Sequence, residues 1–329
     1  MKPTNFARHL TNYLTAYLPG RRGMSVNTIK SYRDTFCLLL AYGETVQHIP
    51  AEKLTIEKID KKFIEGFLAW LESERGNSIA TRNQRLAAVH AFFKYLQYEA
   101  PDYLLLSQQN MSIPSKKCPK PKLCHLSGKE VAEMLSKPDQ QTARGRRDLL
   151  ILSLLYDTGA RVSELIDLTV GNVRLDDYPL VTLTGKGNKT RRIPLMVNTA
   201  ALLRHYFTEN KLGLPSQNAQ PVFVNAQNNK LTRTGITYIL QKYAPAGREK
   251  ITPHIMRHTK AMHLLQAGVN VVYIRDILGH ADVSTTEIYA RADTEMKRTA
   301  LEKAYVPQAE NPGSSWHSNA ELMDWLKSL

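Results

Sequence analysis

Three short polar motifs lie between residues 254 and 289: His254-Ile255-Met256-Arg257-His258, Leu278-Gly279-His280 and Thr285-Thr286-Glu287-Ile288-Tyr289. They place cationic and hydrogen-bonding side chains where the surrounding apolar pattern would otherwise supply a hydrophobic core. Two earlier segments share this property, Thr158-Gly159-Ala160-Arg161-Val162-Ser163-Glu164-Leu165 and Gly185-Lys186-Gly187-Asn188-Lys189-Thr190-Arg191. Polar groups concentrated in this way indicate a functional site in the second half of the chain.

The segments around these motifs are predicted to be mostly helical, with one β-hairpin. Ser127 and Glu130 have the spacing of a capping box, which predicts the start of a helix. Strands at residues 180–183 and 191–195 would pair around the turn formed by residues 185–188. Further helices are predicted over residues 146–156 and 161–168, and a further short strand over 222–224.

The first hundred residues carry apolar side chains at helical spacing. This pattern predicts four amphipathic helices, at residues 6–18, 25–42, 59–74 and 78–99, with a polar break at 19–23. Four such helices in succession indicate a compact helical bundle, because each must bury its apolar face against a neighbour.

Residues 114–125 are rich in proline and lysine and are predicted to be a linker. The prolines exclude a helix, and the lysines favour contact with phosphate groups; these lysines are Lys116, Lys117, Lys120 and Lys122. The linker divides the chain into an N-terminal helical domain (1–113), a second domain that contains the polar motifs (126–305) and a C-terminal tail (306–329).

The charge of the chain indicates a polyanionic partner. Its 44 Lys and Arg against 30 Asp and Glu give a net charge of +14, and both halves are basic, with 18 against 10 in residues 1–125. Nucleic acid would explain this distribution through neutralised phosphates, although a merely soluble basic surface has the same composition. Three cysteines provide no disulfide framework, and no apolar run approaches the ~20 residues that span a bilayer. These features favour a reducing cytoplasm.

The order Arg, Lys, His-x-x-Arg, Leu-Gly-His and Tyr nine residues later resembles the tyrosine recombinase (phage integrase) family. Within that family the chain is most similar to Xer-type and transposon integrases. The resemblance implies a mainly α fold with a small β-sheet: an N-terminal helical, SAM-like core-binding domain and a C-terminal α+β catalytic domain. Met256 stands where the family usually has Leu, a volume-conserving change.

Residues 25–32 and 78–85 resemble helices of the core-binding domain of this family. The resemblance therefore implies a DNA-binding surface there. Its expected members are Thr28, Lys30, Tyr32, Arg82 and Arg85.

The resemblance also implies roles for the polar motifs. Arg161 and Arg257 would neutralise the non-bridging phosphate oxygens, since each guanidinium is permanently charged and donates in a planar fork. Tyr289 would be the nucleophile; a phenol titrates near pH ~10, so it needs positive charge or a base nearby. Glu164 would orient an arginine or a histidine by a charge-assisted hydrogen bond.

Three further side chains would handle protons and phosphate contacts. His254 and His280 are candidates for hydrogen bonds to the phosphate, and His254 is also a candidate acceptor of the tyrosine proton. Lys186, in the hairpin turn, would protonate the departing 5′ oxygen. Lys189 lies in the same turn and is the alternative for that role.

The family likeness implies a site-specific recombinase that acts through a 3′-phosphotyrosyl intermediate and a Holliday junction. It needs no high-energy cofactor, because the ester energy is retained, and no metal site is predicted. The implied partners are double-stranded DNA with inverted-repeat core sites and three further copies of the chain, forming a homo-tetramer on two DNA sites. An accessory recombinase or directionality protein is a further candidate partner. The implied setting is the bacterial cytoplasm, at the nucleoid.

The tail contains a short amphipathic helix. Ser318 and Glu321 have capping-box spacing, and an apolar stripe follows, formed by Leu322, Trp325, Leu326 and Leu329. So short a helix is not stable alone in water, so the stripe must dock, either on its own catalytic domain or on a neighbouring copy. The resemblance favours docking in trans.

Three other classes of protein fit parts of this pattern. A type IB topoisomerase shares the arginines, Lys and Tyr but usually carries Lys in place of His254. A non-catalytic DNA-binding protein would have the same charge but not the full set of catalytic residue types. A zinc protein could use His254 and His258, four residues apart on one helix, but Ile255 stands where a zinc protease motif has Glu.

Overall fold

The computed structural model describes residues 3–118, 124–248 and 250–280, and six later residues: Thr286, Tyr289, Asp324, Trp325, Lys327 and Ser328. The Lys186 side chain lies outside this description. The chain divides into two compact units, Met1–Pro121 and Lys122–Leu329. None of the helices in the described ranges is both long enough and apolar enough to span a bilayer.

The described part of the first unit contains five α-helices: α1 (Asn5–Asn12), α2 (Val26–Thr45), α3 (Lys61–Ser73), α4 (Ile79–Glu99) and α5 (Leu104–Met111). The side chains that cap the first four accept a backbone N–H in the first turn; they are Thr4, Ser25, Asp60 and Ser78. A π-helix, Tyr13–Arg21, continues α1 through Pro19 into the predicted polar break.

Aromatic rings form much of the core of this unit. Phe36 of α2 and Phe92 of α4 lie 5.2 Å apart between ring centroids, and Phe6 of α1 contacts both. These contacts hold the first, second and fourth helices together, as the apolar spacing predicted.

Helix α5 is absent from the sequence prediction because it exposes apolar side chains and buries polar ones, the reverse of an ordinary amphipathic helix. Leu104 and Leu105 are exposed, whereas Ser107 and Asn110 are buried. The amide nitrogen of Asn110 is satisfied, since Nδ2 donates to the Ile59 carbonyl at 2.8 Å. A search for apolar periodicity cannot find a helix of this kind.

The described part of the second unit is mainly helical with one three-stranded antiparallel sheet, in the order β1-β2-β3. Its helices are α6 (Gly128–Ser136), α7 (Ala143–Thr158), α8 (Val162–Ile166), α9 (Val197–Glu209), α10 (Arg233–Lys242), α11 (Pro253–Gln266) and α12 (Val271–Leu278). Its strands are β1 (Val173–Arg174), β2 (Leu180–Thr184) and β3 (Thr190–Pro194). The predicted fold class, mainly α with a small sheet, is confirmed.

Several local predictions can be compared directly with these elements. The capping box of Ser127 and Glu130 is confirmed at the start of α6. The hairpin is confirmed, with Leu183 of β2 opposite Arg191 of β3. The strand predicted over residues 222–224 is wrong, because that segment makes a single isolated bridge, from Val224 to Lys230.

Two glycines end the helices that surround the site. Gly159 follows α7 with φ of 58°, and Gly279 follows α12 with φ of 64°. Both lie in the left-handed region, which a residue with a Cβ adopts at a cost. A Cβ on Gly159 would also come within 2.6 Å of Leu278 Cδ2. The ends of α7 and α12 are therefore packed closely together, and the polar motifs begin where these helices end.

Candidate active site

Arg257 occupies the space between the two helix ends. It lies on α11, is 4% exposed, and donates from Nη1 to the Gly159 carbonyl at 2.7 Å and from Nη2 to the Leu278 carbonyl at 2.6 Å. Burial and the nearby charge of Arg161 lower the pKa of Arg257 to about 10. The side chain therefore remains cationic at neutral pH, and its position is fixed by two main-chain atoms.

A second cationic cluster surrounds Glu164 at the start of α8. The carboxylate accepts the backbone N–H of Arg161 at 2.8 Å and Nη1 of the same residue at 2.8 Å. Arg191 of β3 donates to both carboxylate oxygens, at 2.9 and 2.7 Å. Nη2 of Arg161 also donates to the Gly279 carbonyl at 3.0 Å. Glu164 thus connects Arg161 to Arg191 of the hairpin, and its contact with Arg191 has the bidentate geometry that guanidinium groups favour.

The charge of Glu164 depends on these arginines. Burial alone raises the pKa of this carboxyl, but the hydrogen bonds from Arg191 and Arg161 outweigh burial, and the net pKa is lowered. Glu164 is therefore ionised at neutral pH although it is 3% exposed. Because a lowered folded-state pKa stabilises the fold above the unfolded pKa, this contribution is lost as the pH falls through the folded-state value.

Replacing Glu164 with Gln should lower the free energy of unfolding at pH 7 by about 2–4 kcal/mol, because two arginines lose a buried ionic partner. Urea titration of both proteins would measure the difference. The difference should shrink as the pH falls below about 4, where the carboxyl of the unfolded chain takes up a proton, and it should vanish below the lowered folded-state pKa of Glu164. Glu209→Gln is the matched control: it breaks the more exposed ion pair with Arg146 and should cost less than about 1 kcal/mol. Equal losses for the two variants would contradict this account of Glu164.

Tyr289 lies inside the same unit and is 3% exposed. Its hydroxyl is 2.8 Å from Nδ1 of His258 on α11, and its ring stacks on His280 with an interplanar angle of 12°. Its ring also belongs to an apolar cluster that includes Met262 and Leu278. The phenol is thus held between two imidazoles, with its apolar edge in a small core.

The phenol and the His280 ring beside it are neutral at pH 7. Burial, followed by the charges of Arg257 and Arg161, lowers the pKa of His280 to about 4. Burial raises the pKa of Tyr289, although the same two arginines act in the opposite direction. Nδ1 of His280 lies 2.8 Å from Oγ1 of Thr286. If Nδ1 accepts that hydroxyl proton, Nε2 carries the ring proton and can donate to a phosphate oxygen.

A cavity of about 520 Å³ opens beside these residues. The residues that line it are Arg161, Gly185, Lys189, Thr190, Arg191, Arg275, Gly279 and His280, with Asp276 as the one acidic residue in this lining. The cavity is thus rich in cations and N–H donors, a composition suited to a phosphate group.

The other sequence-predicted site residues have different positions. His254 is exposed, one helical turn before His258 on α11. The backbone of Lys186 lies in the hairpin turn, which the Gly185 N–H closes by donating to the Lys189 carbonyl at 2.8 Å. The structure therefore brings together Arg161, Glu164, Arg257, His280 and Tyr289.

Sequence reasoning missed two members of this cluster. Arg191 has no predicted role, and His258 is considered only as a zinc ligand. His258 instead contacts the Tyr289 hydroxyl, and the described residues contain no group of three or more His, Cys, Asp or Glu that could hold a metal ion. The position of Arg191 at the end of the polar hairpin motif could have indicated a role in the site. The position of His258 directly after Arg257 could have done the same.

The predicted DNA-binding residues of the first unit differ in their surroundings. Lys30 and Lys117 are exposed, and Thr28 and Tyr32 are partly exposed. Arg82 is buried and donates to the Pro114 carbonyl at 3.3 Å. Arg85 donates to the Ser31 carbonyl and the Thr35 hydroxyl of α2. Lys116 forms an ion pair with Glu72 at 2.7 Å. Arg82 and Arg85 thus have structural partners within the unit. Lys120 and Lys122 lie outside the described residues.

Of the four residues in the predicted docking stripe of the tail, the structure describes only Trp325. Trp325 is 57% exposed. Leu322, Leu326 and Leu329 lie outside the described residues.

The fold and the cluster around Tyr289 define the class of tyrosine recombinases, and comparison with known proteins agrees. Residues 125–296 match the phage integrase family, and residues 11–100 match the N-terminal SAM-like domain of phage integrases. The chain belongs to the phage integrase family and is a tyrosine-type site-specific recombinase.

Its relatives include an integrase/recombinase and a tyrosine recombinase of the Xer type. The chain is 34% identical to the putative integrase/recombinase y4rC of Sinorhizobium fredii, covering 100% of this chain and 99% of that protein. It is also 34% identical to the tyrosine recombinase XerD of Listeria monocytogenes, over 89% of this chain and 97% of that protein. The Tn1549 transposon integrase in complex with transposon right end DNA shares the fold, with a TM-score of 0.67 at 18% identity over 89% of this chain and 98% of that one.

Proposed function

We propose that the protein cuts and rejoins DNA through a 3′-phosphotyrosyl bond at Tyr289. The tyrosine oxygen attacks the scissile phosphorus, the bond from phosphorus to the 5′ oxygen breaks, and the 5′ oxygen leaves as a hydroxyl. The reverse attack by the 5′ hydroxyl of another strand rejoins the DNA and releases the tyrosine. No nucleotide is consumed, because the phosphodiester energy is kept in the tyrosyl ester.

The observation that carries this proposal is the position of Tyr289 among cationic and imidazole side chains. Its ring stacks on His280, and the charges of Arg257 and Arg161 both favour its phenolate. The same arginines could bind the two non-bridging oxygens of a phosphate and stabilise the charge that develops during attack. His280 would add a neutral N–H donor.

The proposal is tested by isolating the covalent adduct. A suicide substrate that loses a short 5′ fragment after cleavage traps the adduct, because the fragment diffuses away before religation. Digestion of the adduct and mass spectrometry should find the nucleotide on the peptide that contains Tyr289. Attachment to another residue, or cleavage without any adduct, would refute the proposal.

Lys186 is proposed as the acid that protonates the leaving 5′ oxygen. Lys186→Ala should slow cleavage of ordinary DNA by roughly 10²–10⁴-fold. A bridging 5′-phosphorothiolate leaves as a thiolate without a proton, so this substrate should recover most of the rate. Lys189→Ala, in the same turn, is the matched control and should respond equally to both substrates. A defect of Lys186→Ala that persists with the phosphorothiolate would exclude Lys186 as the acid.

The proposed acting unit is a tetramer of this chain on two DNA sites with inverted-repeat cores, exchanging one pair of strands at a time through a Holliday junction. The net charge of +14 supports the DNA partner, and the exposed Trp325 is available to dock on a neighbouring copy. An accessory recombinase or a directionality protein, and a place at the bacterial nucleoid, belong to the same proposal. Crosslinking on paired sites should give a tetramer, whereas a type IB topoisomerase would act as a monomer on unpaired DNA.

A further inference from the structure

His258 contacts the reacting atom of the proposed nucleophile. Its Nδ1 lies 2.8 Å from the Tyr289 hydroxyl, within ordinary hydrogen-bond distance. His254 is exposed one turn earlier on the same helix and makes no hydrogen bond to Tyr289 in the described part of the chain. The imidazole that contacts the phenolic hydroxyl is therefore the second histidine of the motif His254-Ile255-Met256-Arg257-His258.

The direction of this hydrogen bond follows from the partners available. A neutral phenol has one proton to donate, and His258 Nδ1 is the hydrogen-bond partner of this hydroxyl among the described residues. If Nδ1 carried a proton instead, the phenolic proton would have no acceptor among the described residues. The hydroxyl therefore donates to Nδ1, and the ring proton of His258 lies on Nε2.

The charges around His258 keep it ready to accept a proton. Burial, then His254, then Arg257 lower its pKa, so the ring is neutral at pH 7. Among the described residues, the groups that face it are His254 and Arg257 on α11, Tyr289, and His280 after α12, and none of these is an anion. A scissile phosphate in the cavity lined by Arg161 and His280 would supply negative charge and stabilise the imidazolium that forms on proton transfer.

We propose that His258 is the general base that removes the phenolic proton from Tyr289 during strand cleavage, a role that rests on Tyr289 being the nucleophile. The O–H bond of Tyr289 breaks as its oxygen bonds to phosphorus, and the proton moves to Nδ1 of His258. The bond from phosphorus to the 5′ oxygen breaks, and that oxygen receives its proton from Lys186. During religation His258 returns the proton to the departing tyrosine oxygen, so no proton is lost over the full cycle.

The test compares cleavage rates between pH 6 and 9 for wild type, His258→Asn and His254→Asn. In His258→Asn the carbonyl oxygen of the new amide can still accept a hydrogen bond at the Nδ1 position but cannot hold the proton. This variant should cleave roughly 10²–10⁴-fold more slowly at pH 7. Its rate should rise about tenfold per pH unit, because only the ionised phenol now attacks. Wild type should be nearly independent of pH above the lowered pKa of His258, and His254→Asn should keep the wild-type profile shape at any reduced rate.

Two outcomes would overturn this role for His258. Cleavage by His258→Asn at close to the wild-type rate would show that no proton acceptor is lost. A cleavage rate of His258→Asn that is lower than wild type by the same factor at every pH would show that the residue only supports the structure. Tyr289→Phe distinguishes a failure of the proposed function from a failure of this role. If Tyr289→Phe still forms adducts, Tyr289 is not the nucleophile. If Tyr289→Phe is inactive while His258→Asn cleaves at the wild-type rate, only the role of His258 as the base is refuted.

A second measurement keeps the proposal testable if His258→Asn does not fold. A fluorinated, more acidic tyrosine at position 289 in the otherwise unchanged chain should alter the wild-type rate less than about tenfold, because a base already removes the proton. A rate that instead rises in proportion to the phenolate fraction would overturn the proposal.

Discussion

Tyr289→Phe should abolish covalent adducts with DNA altogether while leaving DNA binding nearly unchanged. The variant loses one oxygen atom, and that atom is the proposed nucleophile. The phenyl ring can still fill the apolar cluster beside Met262 and Leu278 and stack on His280. Denaturing gels with a suicide substrate would measure the adduct, and gel shifts would measure binding.

Tyr273→Phe is the matched control for this experiment. Tyr273 lies on α12 in the same unit and is 67% exposed, so the loss of its hydroxyl should change neither reading. Adducts of wild-type yield from Tyr289→Phe would remove Tyr289 from the proposed reaction. Loss of binding together with cleavage would mean instead that the His258 hydrogen bond is needed for the fold.

Arg257→Lys should reduce the rate of adduct formation by about 10²–10³-fold, the effect typical of losing one preorganised donor to developing charge. A lysine keeps the charge but cannot span the carbonyls of Gly159 and Leu278 while also pointing a donor at the phosphate. Single-turnover cleavage with saturating enzyme would isolate this step from binding. Affinity for DNA should change much less than the rate.

Arg204→Lys provides a matched control. Arg204 on α9 also donates to a backbone carbonyl, that of Leu175 at 2.9 Å, but it is exposed and does not line the cavity that Arg161 and His280 line. Its replacement should leave the cleavage rate unchanged. Equal rates for Arg257→Lys and wild type would show that the buried guanidinium is structural and does not stabilise the transition state.

The fold class and the composition of the site were predictable because the signals are local. Capping residues such as Ser127, the apolar run of α7 and the glycine-rich hairpin turn act within a few positions of one another. The order of the polar motifs adds a resemblance that the family match confirms. Sequence reasoning therefore reached most of the residues that surround Tyr289.

The pairing of these residues was not predictable, because it depends on contacts between distant segments. Glu164 and Arg191 are 27 positions apart, and His258 and Tyr289 are 31 positions apart. The sequence favoured His254 as the proton acceptor on family likeness, whereas on α11 it is His258, one turn later, that reaches the hydroxyl. Helix α5, with exposed leucines and a buried asparagine, escaped detection for a related reason: tertiary contacts overrode its local pattern.

The arginines of the site are held largely by main-chain carbonyls at helix ends. Arg257 binds those of Gly159 and Leu278, Arg161 binds that of Gly279, and Arg191 binds that of Ile277. A carbonyl remains in place whatever side chain its residue carries, so the surrounding surface can diverge while the charges stay where they are. A variant library aimed at new target sequences can therefore randomise exposed positions that have no proposed role in catalysis, DNA binding or docking, provided that the two glycine helix ends are left intact.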